Sequence, residues 1–103
     1  MKNATERTIS KIKSIVKAKG EEMTLSDFLK PELDYIIKVA NLSYEDRKMA
    51  TLYFLQGMKS VDVMDAIPWY STNTFTRHRK IVTAIILKTA NMIADYYDEE
   101  DED

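Results

Sequence analysis

The sequence predicts an all-α protein, a small helical bundle containing a helix-turn-helix with a long C-terminal helix. Three observations predict it. Glycine and proline occur only twice each in 103 residues while 45% are hydrophobic, a composition with few helix breakers. Leu, Ile, Met and Ala recur at steps of three and four from the N-terminal stretch to Tyr96, the period of helices that bury one face. The two glycines and two prolines, Gly20, Pro31, Gly57 and Pro68, fall between the periodic stretches rather than within them, as helix punctuation does. This length suits one domain, residues 1–97, with one core. The run 98–103 is expected to be a disordered acidic tail.

Composition also narrows the chemistry. Cysteine is absent and histidine occurs once, which rules out disulfides, Cys-based zinc sites and thiol nucleophiles. Neither a glycine-rich phosphate loop nor a serine paired with a histidine base is present. No catalytic residue, metal or cofactor is therefore expected, and the chain does not read as an enzyme. No apolar run nears the roughly 20 residues of a membrane span and no apolar signal segment opens the chain, so a cytoplasmic protein without a membrane partner is expected. The formal charge of −2 hides an uneven distribution. Residues 1–20 hold six Lys/Arg against Glu6, and residues 98–103 are six consecutive acids without which the charge would be +4. Distribution bears on partners more than the sum does.

Residues 4–19 carry Ile9, Ile12, Ile15 and Val16 on one face, with Lys11, Lys13, Lys17 and Lys19 mostly elsewhere. This is a basic amphipathic helix closed by Gly20. It reads as a core helix with a solvated lysine face or as a phosphate-contacting arm; a membrane-surface role lacks aromatic anchors. Thr24 and Asp27 resemble a capping box that opens a short turn ending at Pro31. Residues 32–41 form the next helix, with Leu33, Ile36, Ile37 and Ala40 inward. Ser43 then caps a helix from Tyr44 to Gln56 whose Met49, Leu52 and Tyr53 point inward, and Gly57 ends it.

Residues 59–80 have the pattern of a helix-turn-helix. Ser60 is the expected N-cap of its first helix, with Val61, Val63, Met64 and Ile67 inward. Pro68 stops that helix, the turn lies at Pro68, Trp69 and Tyr70, and Ser71 caps the second helix. On that helix Phe75 and His78 share one side, and Asn73, Thr76, Arg77 and Lys80 share the other. Arg suits bidentate bonding to guanine and Asn to adenine in the major groove, whereas Arg79 and Lys80 would lie nearer phosphate. Arg47, early in the preceding helix, is a further candidate phosphate contact.

Through Leu42-Ser43-Tyr44-Glu45-Asp46-Arg47, Tyr53-Phe54, Gly57, the turn, Ser71 and Thr74-Phe75, residues 42–87 resemble the promoter-reading C-terminal domain of bacterial sigma factors. More specifically, they resemble small phage late-gene regulators of the ArpU/RinA type. The resemblance implies a double-stranded DNA-binding transcription regulator, phage or prophage encoded. In it Ser71 caps the recognition helix, Thr74 lies near a phosphate, and Thr72, Asn73, Thr76 and Arg77 face base edges. A different reading of the same fold is a protein-interaction module that binds or inhibits a host protein such as RNA polymerase or a nuclease.

From Phe75 the periodicity runs on without a breaker through Val82, Ile85, Thr89, Met92 and Tyr96, while Ile81, Ala84, Ile86, Leu87, Ala90 and Ile93 add a second apolar flank. A helix apolar on so much of its circumference needs more than one neighbour. The N-terminal helix could cover it, or the same helix of a second copy in a homodimer paired through residues 81–97. His78 reads as a half-buried packing residue and Trp69 as an interior plug, against the alternatives of a base contact and a stacking or partner-binding aromatic. The acidic tail is either a solvated end or a competitor for the basic face.

Overall fold

No glycine or proline falls between Ser71 and Asp98. In the computed structural model, which describes residues 3–98, that stretch is one helix, α5 (Thr72–Asp98). Ahead of it come α1 (Ala4–Lys19), α2 (Lys30–Val39), α3 (Tyr44–Ala50) and α4 (Ser60–Ala66), with no strand among the described residues. The chain is the all-α bundle with a long C-terminal helix that its composition implies. At about 1.5 Å per residue α5 is roughly 40 Å long, and the other helices are arranged along it. The tail residues 99–103 lie outside the described residues.

α1 starts where Asn3 accepts the Glu6 N–H through its side chain at 2.8 Å and ends at Gly20, whose φ of 54° admits the turn and whose N–H bonds Val16. Ile9 and Ile12 are buried as expected, but so is Lys13, at 6% exposure. Its ammonium donates to the Tyr97 carbonyl at 3.1 Å, so a charge read as solvated instead caps the carbonyl end of α5, where the helix dipole favours a cation. Between α1 and α2 the Asp27 carboxylate accepts the Thr24 N–H at 2.8 Å. That backbone bond, more than nearby Lys19, holds the Asp27 carboxyl below its ordinary value.

α2 begins two residues earlier than expected, because proline is accepted in a first helical turn where its missing N–H has no bond to make. Buried Glu32 accepts the Leu29 N–H at 2.9 Å and so supplies the start signal. α3 is capped by Ser43, whose hydroxyl accepts the Asp46 N–H at 3.1 Å. The helical path continues to Leu55, but Thr51–Leu55 widen into a π-helical turn in which the Gln56 N–H reaches back to the Thr51 carbonyl at 3.0 Å. The cause is local: the consecutive Leu52, Tyr53, Phe54 and Leu55 all pack partly against the core. A regular helix would turn one of four consecutive residues away.

The helix-turn-helix forms with two corrections. Lys59, in extended conformation, is the N-cap of α4, and Ser60 is the first helical residue without a capping bond. Val61 is exposed, and only Val63 and Ile67 of its expected inward set are fully buried. The core joins all five helices, with Ile12, Ile36 and Ile37, Met49, Val63, Val82 and Ile86 fully buried. On α5 the buried row is Phe75, Val82, Ile86, Ala90 and Ile93. Of the row expected to lead, only Phe75 and Val82 belong to it; Met92 and Tyr96 stand in solvent. Of the second apolar flank Ile86, Ala90 and Ile93 are buried, while Ile81 and Ala84 are exposed with Met92 and Tyr96.

Candidate nucleic-acid interface

The turn delivers α5 by way of Ser71. Its hydroxyl accepts the Thr74 N–H at 3.2 Å and lies 2.9 Å from the Thr74 hydroxyl, so the cap forms as expected. Phe75 fixes the inward face: it is buried, with the Tyr53 ring edge-on at 5.2 Å. Opposite it, Thr72, Asn73, Thr76, Arg77 and Lys80 are exposed. These five candidates share one continuous surface on the first two and a half turns of the helix. Thr74 is half-buried at its margin, its hydroxyl engaged with Ser71.

Arg79 departs from its expected place. It is half-buried and its guanidinium lies 3.5 Å from the Tyr53 hydroxyl, because residue 79 falls one turn below Phe75 on the inward side. Arg47 departs further. Its guanidinium donates to the carbonyls of Ile37, Lys38 (3.2 Å), Ala40 (2.9 Å) and Leu42 (3.2 Å). Helix C-termini leave carbonyls without intrahelical donors, and Arg47 satisfies those of α2 and of the link that follows. It is a structural cap, its donors turned to these carbonyls rather than outward.

A group that sequence reasoning missed holds the start of α5 in place. The Asp46 carboxylate accepts the His78 Nδ1–H at 2.7 Å, and the same oxygen accepts the Tyr70 hydroxyl. One carboxylate from α3 thereby ties the turn to α5. Burial first, and then the bond to Asp46, push the Tyr70 phenol well above its ordinary value. His78 is the packing residue expected of it, but the aromatic plug is Tyr70, at 5% exposure, and not Trp69, at 55%. Trp69 stands outside with its ring edge-on to Tyr70 at 4.8 Å and to His78 at 5.8 Å. The signal in the sequence was the aromatic pair ahead of a lone histidine. Its acceptor lies 24 residues before Tyr70, beyond the reach of any local pattern.

The lysine-rich helix does not extend this surface. Lys13 is anchored at Tyr97, twenty residues from Arg77, or about 30 Å along the helix axis. The basic residues of α1 thus gather about the far end of α5, which removes the reading of α1 as an arm beside the recognition segment. No helix of the described residues is long and apolar enough to cross a membrane. Comparison with protein-family models, curated proteins and solved structures returns no match to this chain.

Proposed function

We propose that the chain is a sequence-specific double-stranded DNA-binding regulator of transcription, similar to sigma-like phage regulators and phage or prophage encoded, which acts in the cytoplasm as a homodimer paired through residues 81–97. The observation that carries the reading is the exposed row Thr72, Asn73, Thr76, Arg77 and Lys80 at the start of a helix whose opposite face is pinned by Phe75 and by His78 on Asp46. Short polar and basic side chains on a rigidly seated helix after a tight turn are what major-groove reading requires. Asn73 and Arg77 take base edges in this reading, and Lys80 takes phosphate.

Fluorescence anisotropy against duplexes from the region upstream of the gene, measured across a salt series, tests it. Arg77→Ala should weaken specific binding by about 1–3 kcal/mol, and Lys80→Ala should lower the salt slope by about one while weakening all sequences alike. Absence of binding to any duplex at low salt overturns the proposal.

A second reading, a module that binds or inhibits a host protein such as RNA polymerase or a nuclease, is favoured by exposed Trp69, an aromatic of the kind that anchors protein interfaces. It expects Trp69→Ala to abolish co-purification of a host protein while the fold is kept.

A further inference from the structure

Eight large apolar side chains stand exposed among the described residues, and three of them, Ile81, Met92 and Tyr96, lie on one side of α5 with Val39 of α2 beside them. Met92 is 59% and Tyr96 71% exposed. With half-buried Ile85 and Thr89 they form a strip about 22 Å long from Ile81 to Tyr96. Along its inner edge the C-terminal part of α2 forms a groove with α5, lined by Val39, Asn41, Ile85, Lys88, Thr89 and Met92. Lys88, at the groove's lip, and Asp95 are both exposed and seven residues apart, so they share one side of the helix.

We propose that this strip is the seam of the homodimer, with α5 of one copy packed antiparallel against α5 of a second copy and the two crossing between Ala90 and Asn91. The inference rests on the dimer in the functional reading above and supplies its surface and register. The strip is complementary to itself in that register. Ile85 meets Tyr96 of the second copy, whose ring enters the groove beside Val39, and Thr89 meets Met92. Each Lys88 then lies beside the other copy's Asp95, giving two charge pairs on the rim. A parallel pairing would set Lys88 level with Lys88 and Asp95 level with Asp95, and like charges at matched positions repel.

The same geometry bears on DNA. Arg77 and Asp95 are separated by eighteen residues, five whole helical turns, so Arg77 lies on the same flank as the rim charges. The two-fold axis of an antiparallel pair passes along that flank, and both recognition segments therefore face the same side. Arg77 lies about 20 Å from the crossing, which separates the two copies of Arg77 by about 40 Å, near the 34–36 Å of one DNA turn.

Sedimentation of the full chain without DNA tests the seam, with thermal melts of each variant to confirm folding. Lys88, Met92 and Asp95 are exposed, so their variants should melt as the wild type does. Wild type should be a dimer at tens of micromolar, and Met92→Glu a monomer. Lys88→Glu and Asp95→Lys should each weaken the dimer at least about tenfold. Mixed together, those two should form a heterodimer, since each glutamate then meets a lysine, and the double variant should dimerise with itself. A monomeric wild type overturns the proposal, as does a mixture that fails to associate or single charge variants that dimerise normally. Because no DNA is present, these outcomes leave the DNA reading to its own experiment, and absence of DNA binding leaves the dimer standing.

Discussion

Arg47 and Asp46 are adjacent charges that a sequence presents alike, as solvated residues in the first turns of a helix. Packing separates them. Arg47 ends among four carbonyls at the end of α2, and lysine has neither the fork nor the reach to serve four acceptors. Arg47→Lys should cost about 2 kcal/mol in urea unfolding while leaving the salt slope of any DNA binding unchanged, the reverse of what a phosphate contact would give. Asp46 ends beneath Tyr70 and His78. The Tyr70 phenol holds its proton above its ordinary value of 10.0 when folded, so the unfolded chain releases that proton first. The resulting stabilisation is complete below about pH 10 and is lost as pH rises above it. Tyr70→Phe should therefore flatten the fall in stability above about pH 10, and cost about 1 kcal/mol at neutral pH.

At the scale of elements, the punctuation was legible because its signals are local. Ser43 and Ser71 carry the start of a helix in one side chain, and Gly20 and Gly57 carry the end in a backbone region closed to most residues. Gly57 has φ of 70° with open space where a Cβ would go. Gly57→Ala should thus cost about 1–2 kcal/mol from backbone conformation alone, and Gly57→Asn less, as thermal melts would show. The π-helical turn was not legible, since it arises from four apolar residues answering to a core that other helices build. Ser60 misled for a related reason: a serine near a helix start is a statistical signal, and Lys59 takes the capping backbone without any side-chain bond. On α5 the rows 82, 86, 90, 93 and 81, 85, 92, 96 are both apolar at helical spacing, and periodicity has no means of ranking them.

Across the whole molecule, α5 keeps its ends apart. Along the helix axis, Tyr97 stands about 30 Å from Arg77 of its own copy. In the antiparallel pair proposed above, Tyr97 would lie beside Ala84 of the second copy, about 10 Å from that copy's Arg77. Deleting residues 99–103 should accordingly raise DNA affinity severalfold in the dimer and leave the Met92→Glu monomer unchanged, as anisotropy at low salt would measure; an equal effect in both would remove tail competition between copies. The sequence by itself determined the helical class, the number of helices, the stops at Gly20, Gly57 and Pro68, and the split of the second motif helix between buried Phe75 and exposed Asn73, Arg77 and Lys80, because each depends on neighbours within a turn or two. Only the tertiary structure decided that Arg47 and Lys13 close the ends of other helices, that Asp46 seats His78 and Tyr70, and which flank of α5 remains open. Those outcomes depend on groups tens of residues away, whose meeting is set by how five helices share one core.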